Sequence, residues 1–207
     1  MNGKIEATDE ELLARYRRGD DSAFRSLVKR HQRGVYNFAL RQVREPSTAE
    51  DIVQEVFVRV VQNVGTFKEE ARFTTWAYTI ARNLCIDHLR KRVHRRHPSL
   101  DAPSEGQSQQ DGADGPTLGE KVAASGAGAD RQVIGKQLQA HITAAVERLP
   151  EDQREVFLMR QVGELAFKEI ADIVGISENT VKSRMRYALE RLQVALVEFE
   201  DYAKALK

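Results

Sequence analysis

Six residues near the C-terminal end, Asn179, Thr180, Lys182, Ser183, Arg184 and Arg186, bring amide, hydroxyl and cationic groups together within one short stretch. These are the groups that read a DNA duplex: Arg and Lys donate to guanine edges, Asn pairs with adenine, and hydroxyls hold phosphate. A second set, Trp76, Thr79, Asn83, Asp87, Arg90 and His94, recurs at helical spacing and so would line one narrow helix face. An aromatic ring followed by basic and amide groups suits a platform for unpaired bases. A third set, Asp51, Gln54, Glu55 and Arg59, is polar within a segment whose apolar residues exceed what one buried stripe requires, which suits docking of a partner protein. Each pattern also has a plainer reading. The first describes any helix with a solvated basic face, the second places Trp76 and Tyr78 in a core, and the third is a solvated outer face. Arg184 lies beside an apolar stripe, where phosphate contact or an ion pair within the module are both open.

The elements that would position these groups are helices. Thr8 and Glu11 form a capping-box pattern ahead of Leu12, Leu13 and Tyr16, and Gly19-Asp20 breaks that helix. Ala23 to Ala39 continues with helical period until Arg44-Glu45-Pro46. Ser47 and Glu50 read as a second capping box, opening a helix through Ile52, Val56, Phe57, Val60 and Val64. After a Gly65–Arg72 loop, a long helix is expected from about Thr74 to Arg96. A further helix starts near Val133 and ends at Leu149-Pro150, and Pro150 suits the first helical position of the next one, Glu151 to about Val162. Phe167–Val174, the Gly175 turn and Ser177 as an N-cap then give a helix-turn-helix. Its second helix buries Val181, Met185, Ala188, Leu192, Ala195 and Phe199 as one stripe, with Asn179, Lys182, Ser183, Arg186 and Glu190 opposite. No strand alternation is present. The expected class is all-α: two small helical domains, 8–97 and 135–200, joined by a flexible linker.

That linker, 98–134, is rich in Gly, Ser, Gln, Ala and acid, with too little apolar surface to offset its ordering entropy. As a coil it would hold its ends on the order of 30 Å apart. The net charge of +1 conceals segregation: basic residues gather at Arg90-Lys91-Arg92, Arg95-Arg96 and along 182–191, and acidic ones in 1–70 and in the linker. Charge arranged this way suits local contact with a polyanion. No apolar run is long enough to span a membrane. Met1–Glu6 lacks the apolar core of a secretory signal, and the single cysteine, Cys85, excludes an internal disulfide. The expected location is the cytoplasm.

Taken in order, Ala49–Phe57, Phe73-Thr74-Thr75-Trp76 leading into Ile80–Asn83 and Ile86-Asp87, then Leu149–Phe157, Glu169-Ile170-Ala171 and Thr180–Arg184 resemble a bacterial sigma factor of the sigma-70 family, extracytoplasmic-function class. The match spans roughly 8–97 and 135–197. The resemblance implies that Asp51, Gln54, Glu55, Phe57 and Arg59 bind the clamp helices of the largest subunit of RNA polymerase core. It implies that Arg72, Phe73, Trp76, Thr79, Asn83, Asp87, Arg90 and Lys91 recognise and melt the −10 element. Asn179, Thr180, Lys182, Ser183, Arg184 and Arg186 would read the −35 element as duplex. It further implies an anti-sigma partner, often membrane-bound, that covers the polymerase-binding faces, and no cofactor, metal or catalytic residue. Glu178-Asn179 stands where small or glycine residues are common, and Ala166-Phe167-Lys168 where a tyrosine or serine pair is frequent. Two other readings compete. A metal-dependent nuclease would use His88, His94, His97 and Asp87, but Arg92, Arg95 and Arg96 repel a cation there and no second carboxylate cluster converges. A free-standing helix-turn-helix regulator explains 135–197 and leaves the first module without a role.

Overall fold

The computed structural model describes residues 7–67, 71–96 and 127–197. Among these residues there are eight α-helices and no strand: α1 (Asp9–Arg17), α2 (Asp21–Val43), α3 (Pro46–Asn63), α4 (Phe73–Arg96), α5 (Ala127–Glu147), α6 (Glu151–Gln161), α7 (Phe167–Val174) and α8 (Glu178–Leu196), with a 3-10 turn at Val64–Thr66. None of these helices is long and apolar enough to cross a membrane.

Helix starts follow local chemistry. Thr8 caps α1 in a complete capping box, accepting from the Glu11 N–H while Glu11 accepts from the Thr8 N–H at 2.9 Å. Asp20 caps α2 by accepting from the backbone of Ser22 and Ala23. The capping box expected at Ser47 and Glu50 does not form. Pro46, whose ring already fixes a helical φ, occupies the first turn of α3, so the helix begins ahead of Ser47 and Glu45 becomes the flanking residue. The same geometry moves Pro150 outward: it precedes α6 at the N-cap rather than at the first helical position. Helix α5 begins at Ala127, inside the stretch read as linker. The expected linker residues 98–126, His97, Phe199 and the His94 side chain lie outside the described residues.

Helices α1–α4 enclose Leu13, Leu27, Val35, Phe38, Val43, Val56, Val60 and Phe73, all at or near zero exposure. Helices α5–α8 close over Val156, Met159, Leu165, Ile170, Val181 and Ala188. Arg154, buried, reaches back from α6 to the carbonyl oxygens of Glu147 and Leu149, so the Leu149-Pro150 corner keeps its orphan acceptors satisfied. The two modules pack against each other. Tyr78 on α4 makes an edge-on ring contact with Phe38 and is wedged between Gly34 and Gly163. A Cβ at Gly34 would stand 2.9 Å from the Tyr78 hydroxyl and one at Gly163 2.9 Å from its ring, so both glycines are needed for that close approach.

Candidate nucleic-acid interface

The helix-turn-helix geometry is set by its turn. Gly175 takes a left-handed φ of 77°, and its N–H and that of Ile176 both return to the Ala171 carbonyl, ending α7. Ser177 then starts α8: its hydroxyl accepts from the Thr180 N–H at 3.1 Å and lies 2.8 Å from the Thr180 hydroxyl. Helix α8 buries Val181, Met185, Ala188 and Leu192, as the spacing predicts. Ala195 is exposed, and Leu196, four residues after Leu192 on the same side of the helix, packs against the core in its place.

Opposite the stripe, Asn179, Thr180, Lys182, Ser183 and Arg186 are all exposed along the first half of α8, a face open to a groove. Two of the cations are braced. Lys182 pairs with Glu178 at 2.7 Å, and Arg186 stands 3.7 Å from Glu190 with its guanidinium stacked over Tyr187 at 4.9 Å. Arg184 is half-buried and pairs with Asp152 of α6 at 3.2 Å, which is the intradomain alternative for that residue.

Along α4 the predicted set divides. Asn83, Asp87, Arg90 and Lys91 are exposed and lie from the middle of the helix onward. Trp76 is half-buried, tilted against Phe67 at 5.0 Å and edge-on to Phe73 at 6.4 Å. The Thr79 hydroxyl donates to the Thr75 carbonyl at 2.7 Å. Phe73 is fully buried against His31, and its N–H donates to Glu10, so it anchors the start of α4. Cys85 is buried, and burial first and the Glu155 charge second push its thiol up to about 12, which leaves no reactive thiolate.

On α3, Asp51 and Gln54 are exposed, and Glu55 and Arg59 form a surface pair at 2.7 Å. Phe57, in the same set, is 7% exposed and packs edge-on against Phe24, because its position places it on the buried side of α3 with Val56 and Val60. The exposed apolar groups on this helix are Val58 (45%) and Val61 (38%), four residues after Gln54 and Phe57 respectively, which the sequence reading passed over. The signal was present in the surplus of apolar residues on this segment.

The structure also brings together residues that no local pattern connects. Arg82 on α4 donates through Nε to Glu155 of α6 at 2.7 Å, with both side chains largely buried. The Thr75 hydroxyl donates to Glu169 of α7 at 2.9 Å, and Arg72 approaches the same carboxylate at 3.7 Å. Arg44 at the end of α2 donates to the Glu147 carbonyl at 2.7 Å.

Two all-α modules in series, the second built on a helix-turn-helix, define the architectural class. Residues 27–95 match the family model for sigma-70 region 2, and residues 140–192 that for sigma-70 region 4. The chain is 30% identical over 192 residues to the ECF RNA polymerase sigma factor SigW of Bacillus subtilis, covering 93% of this chain and 98% of the relative. It is 33% identical to the RNA polymerase sigma factor CarQ of Myxococcus xanthus, over 91% of this chain and 97% of the relative. It is 31% identical to the ECF RNA polymerase sigma-E factor of Escherichia coli strain K12, over 89% and 92%. Two solved structures share the fold at a TM-score of 0.62. One is CnrH in complex with the cytosolic domain of CnrY, at 21% identity over 94% of this chain and 99% of that one. The other is the sigma factor RpoE of Bartonella quintana in complex with the anti-sigma factor NepR, at 23% identity over 84% and 96%. The chain belongs to the sigma-70 family and is an alternative sigma factor of its extracytoplasmic-function group. The free-standing regulator reading is not favoured, because the region 2 match over residues 27–95 covers most of the first module and the relatives are sigma factors.

Proposed function

We propose that this sigma factor binds RNA polymerase core through the outer face of α3, opens the −10 element with α4 and reads the −35 element with α8. Asp51, Gln54, Glu55 and Arg59, joined by the exposed Val58 and Val61, supply a mixed polar and apolar docking face for a helical partner such as the polymerase clamp. Asn83, Asp87, Arg90 and Lys91 follow the melted strand, with Trp76 and Thr79 at the margin of that face and Arg72 beside it. Asn179, Thr180, Lys182, Ser183 and Arg186 face the major groove, while Arg184 holds α8 on α6 or reaches a phosphate. The modules acting this way are bounded at about 8–97 and 135–200. The protein works in the cytoplasm and performs no catalysis of its own. An anti-sigma protein restrains it, in line with the complexes in which its two structural neighbours were seen, and that partner is membrane-anchored or soluble.

The observation that carries this reading is the first half of α8, where five donor and acceptor side chains are exposed on one face while the opposite face is fully buried. Lys182→Ala or Arg186→Ala should lower promoter-specific transcription by about 1–3 kcal/mol of lost discrimination while core binding persists. Loss of core binding in either variant would sink the assignment of α8 to DNA.

A further inference from the structure

From three exposed cations on α2 that no acidic side chain answers, we infer that the outer face of this helix, carrying Arg25, Lys29 and Arg33, is a further nucleic-acid site. It holds the phosphate backbone of duplex DNA without reading its sequence. This role adds to those proposed above for α3, α4 and α8 and does not depend on them.

The charge on this helix is one-sided. From Ser22 to Arg44 the sequence contains no Asp or Glu, against six Lys and Arg. Three of the six have partners in the fold: Arg30 donates to Asp9 and to the Ala7 carbonyl, Arg41 pairs with Glu147, and Arg44 donates to the Glu147 carbonyl. Arg25, Lys29 and Arg33 are exposed and have no hydrogen-bonding or ionic partner among the described residues. Cations on other outward faces are answered within one turn, Arg59 by Glu55, Lys182 by Glu178 and Arg186 by Glu190. Like charges four residues apart disfavour a helix, and α2 carries two such steps in succession, a repulsion that a bound polyanion would remove.

The spacing fits a backbone. At 1.5 Å per residue the stripe from Arg25 to Arg33 is about 12 Å long, and each strand of a duplex carries a phosphate for about every 3.4 Å of its axis. Three side chains four residues apart therefore reach about three phosphates. Ser22, Ser26 and Gln32, exposed on the same side, add only neutral polar groups.

Other partners need groups that this face does not offer. Among the described residues, the exposed large apolar side chains lie on α3, α4, α5 and α8 or at the end of α8, and none lies on α1 or α2. A protein interface is centred on apolar or aromatic anchors and depleted of Lys. Unpaired bases call for exposed rings to stack on, whereas Phe24 is stacked on Tyr16, Tyr36 is half-buried and Phe38 is buried. Duplex backbone asks only for donors and positive charge.

The test uses the full chain and an unrelated duplex without promoter elements, with affinity followed by fluorescence anisotropy between about 50 and 200 mM salt. Over that range the parent should lose about fortyfold more affinity than the variant Arg25→Gln with Lys29→Gln and Arg33→Gln, the factor that three phosphate contacts predict. Lys29→Gln alone should differ from the parent by about 3.5-fold, the factor for one contact. The charge-keeping variant, Arg25→Lys with Lys29→Arg and Arg33→Lys, should behave as the parent. A promoter duplex should weaken by the same factor as the unrelated one, and core affinity should not change. With helicity equal to the parent's by circular dichroism, an unchanged salt dependence in the Gln variants overturns the site. A loss confined to core binding, or to a single strand of the same length, gives the face to another partner and overturns it as well. A changed ratio between promoter and unrelated duplex would show base reading and contradict a contact made to backbone alone.

Discussion

At the residue scale, the sites are built from side chains whose partners are already chosen in the free protein. Lys182 is held by Glu178 at 2.7 Å, so it enters a groove only by exchanging that carboxylate for a base edge or phosphate. Glu178→Gln should therefore raise affinity for non-specific duplex DNA and steepen its salt dependence by about one counterion, readable from binding measured across salt concentrations. Asn83 is exposed on α4 and free of packing duties. Asn83→Ala should impair promoter opening, followed by permanganate footprinting, more than closed-complex formation. Phe57 and Phe73 show where pattern stops informing. On α3 and α4 the apolar residues cover a wide arc, and periodicity cannot say which edge of that arc turns outward. The neighbours decide it: Phe24 covers Phe57, and His31 covers Phe73. Val58 and Val61 take the exposed places instead.

At the element scale, caps and turns fix where each reading face begins. Ser177 sets the first residue of α8, so Ser177→Ala should cost about 1 kcal/mol in thermal unfolding and weaken −35 binding in parallel. Asp20 gives a pH signature. The Ser22 hydroxyl first and Arg15 next, with the Ala23 N–H, hold its carboxyl down at about 2 against an ordinary 3.8. A depressed carboxylate stabilises fully above its unfolded value and loses that contribution as pH falls through the folded one. Acid unfolding monitored by helicity should thus include a component between about pH 4 and pH 2 that Asp20→Asn, which keeps a capping oxygen, removes. Helix-turn-helix and capping box were legible in the sequence because their signals are local, within three or four residues. The start of α3 was not, because two start signals overlapped there and the fixed φ of Pro46 outweighed the Ser47 hydroxyl.

At the scale of the whole molecule, the two modules and their order could be read from composition and motif. Their closure could not. Arg82 and Glu155 are separated by 73 residues, and Thr75 and Glu169 by 94, distances at which no periodicity links one residue to another. Gly34 and Gly163 likewise sit in unremarkable sequence; the Tyr78 side chain crowds both, and at Gly163 the Met159 carbonyl oxygen, 2.7 Å from where a Cβ would stand, crowds it further. The same chain therefore has a separate face for each of its proposed partners and a fitted contact between its modules.

Reconstituting the full chain with RNA polymerase core and mapping transcript starts on genomic DNA tests the central claim most directly. The account predicts that core alone starts at no discrete site, whereas core with this chain starts at a defined set preceded by common −10 and −35 elements. A chain that fails to bind core yet holds duplex DNA tightly by itself would contradict it.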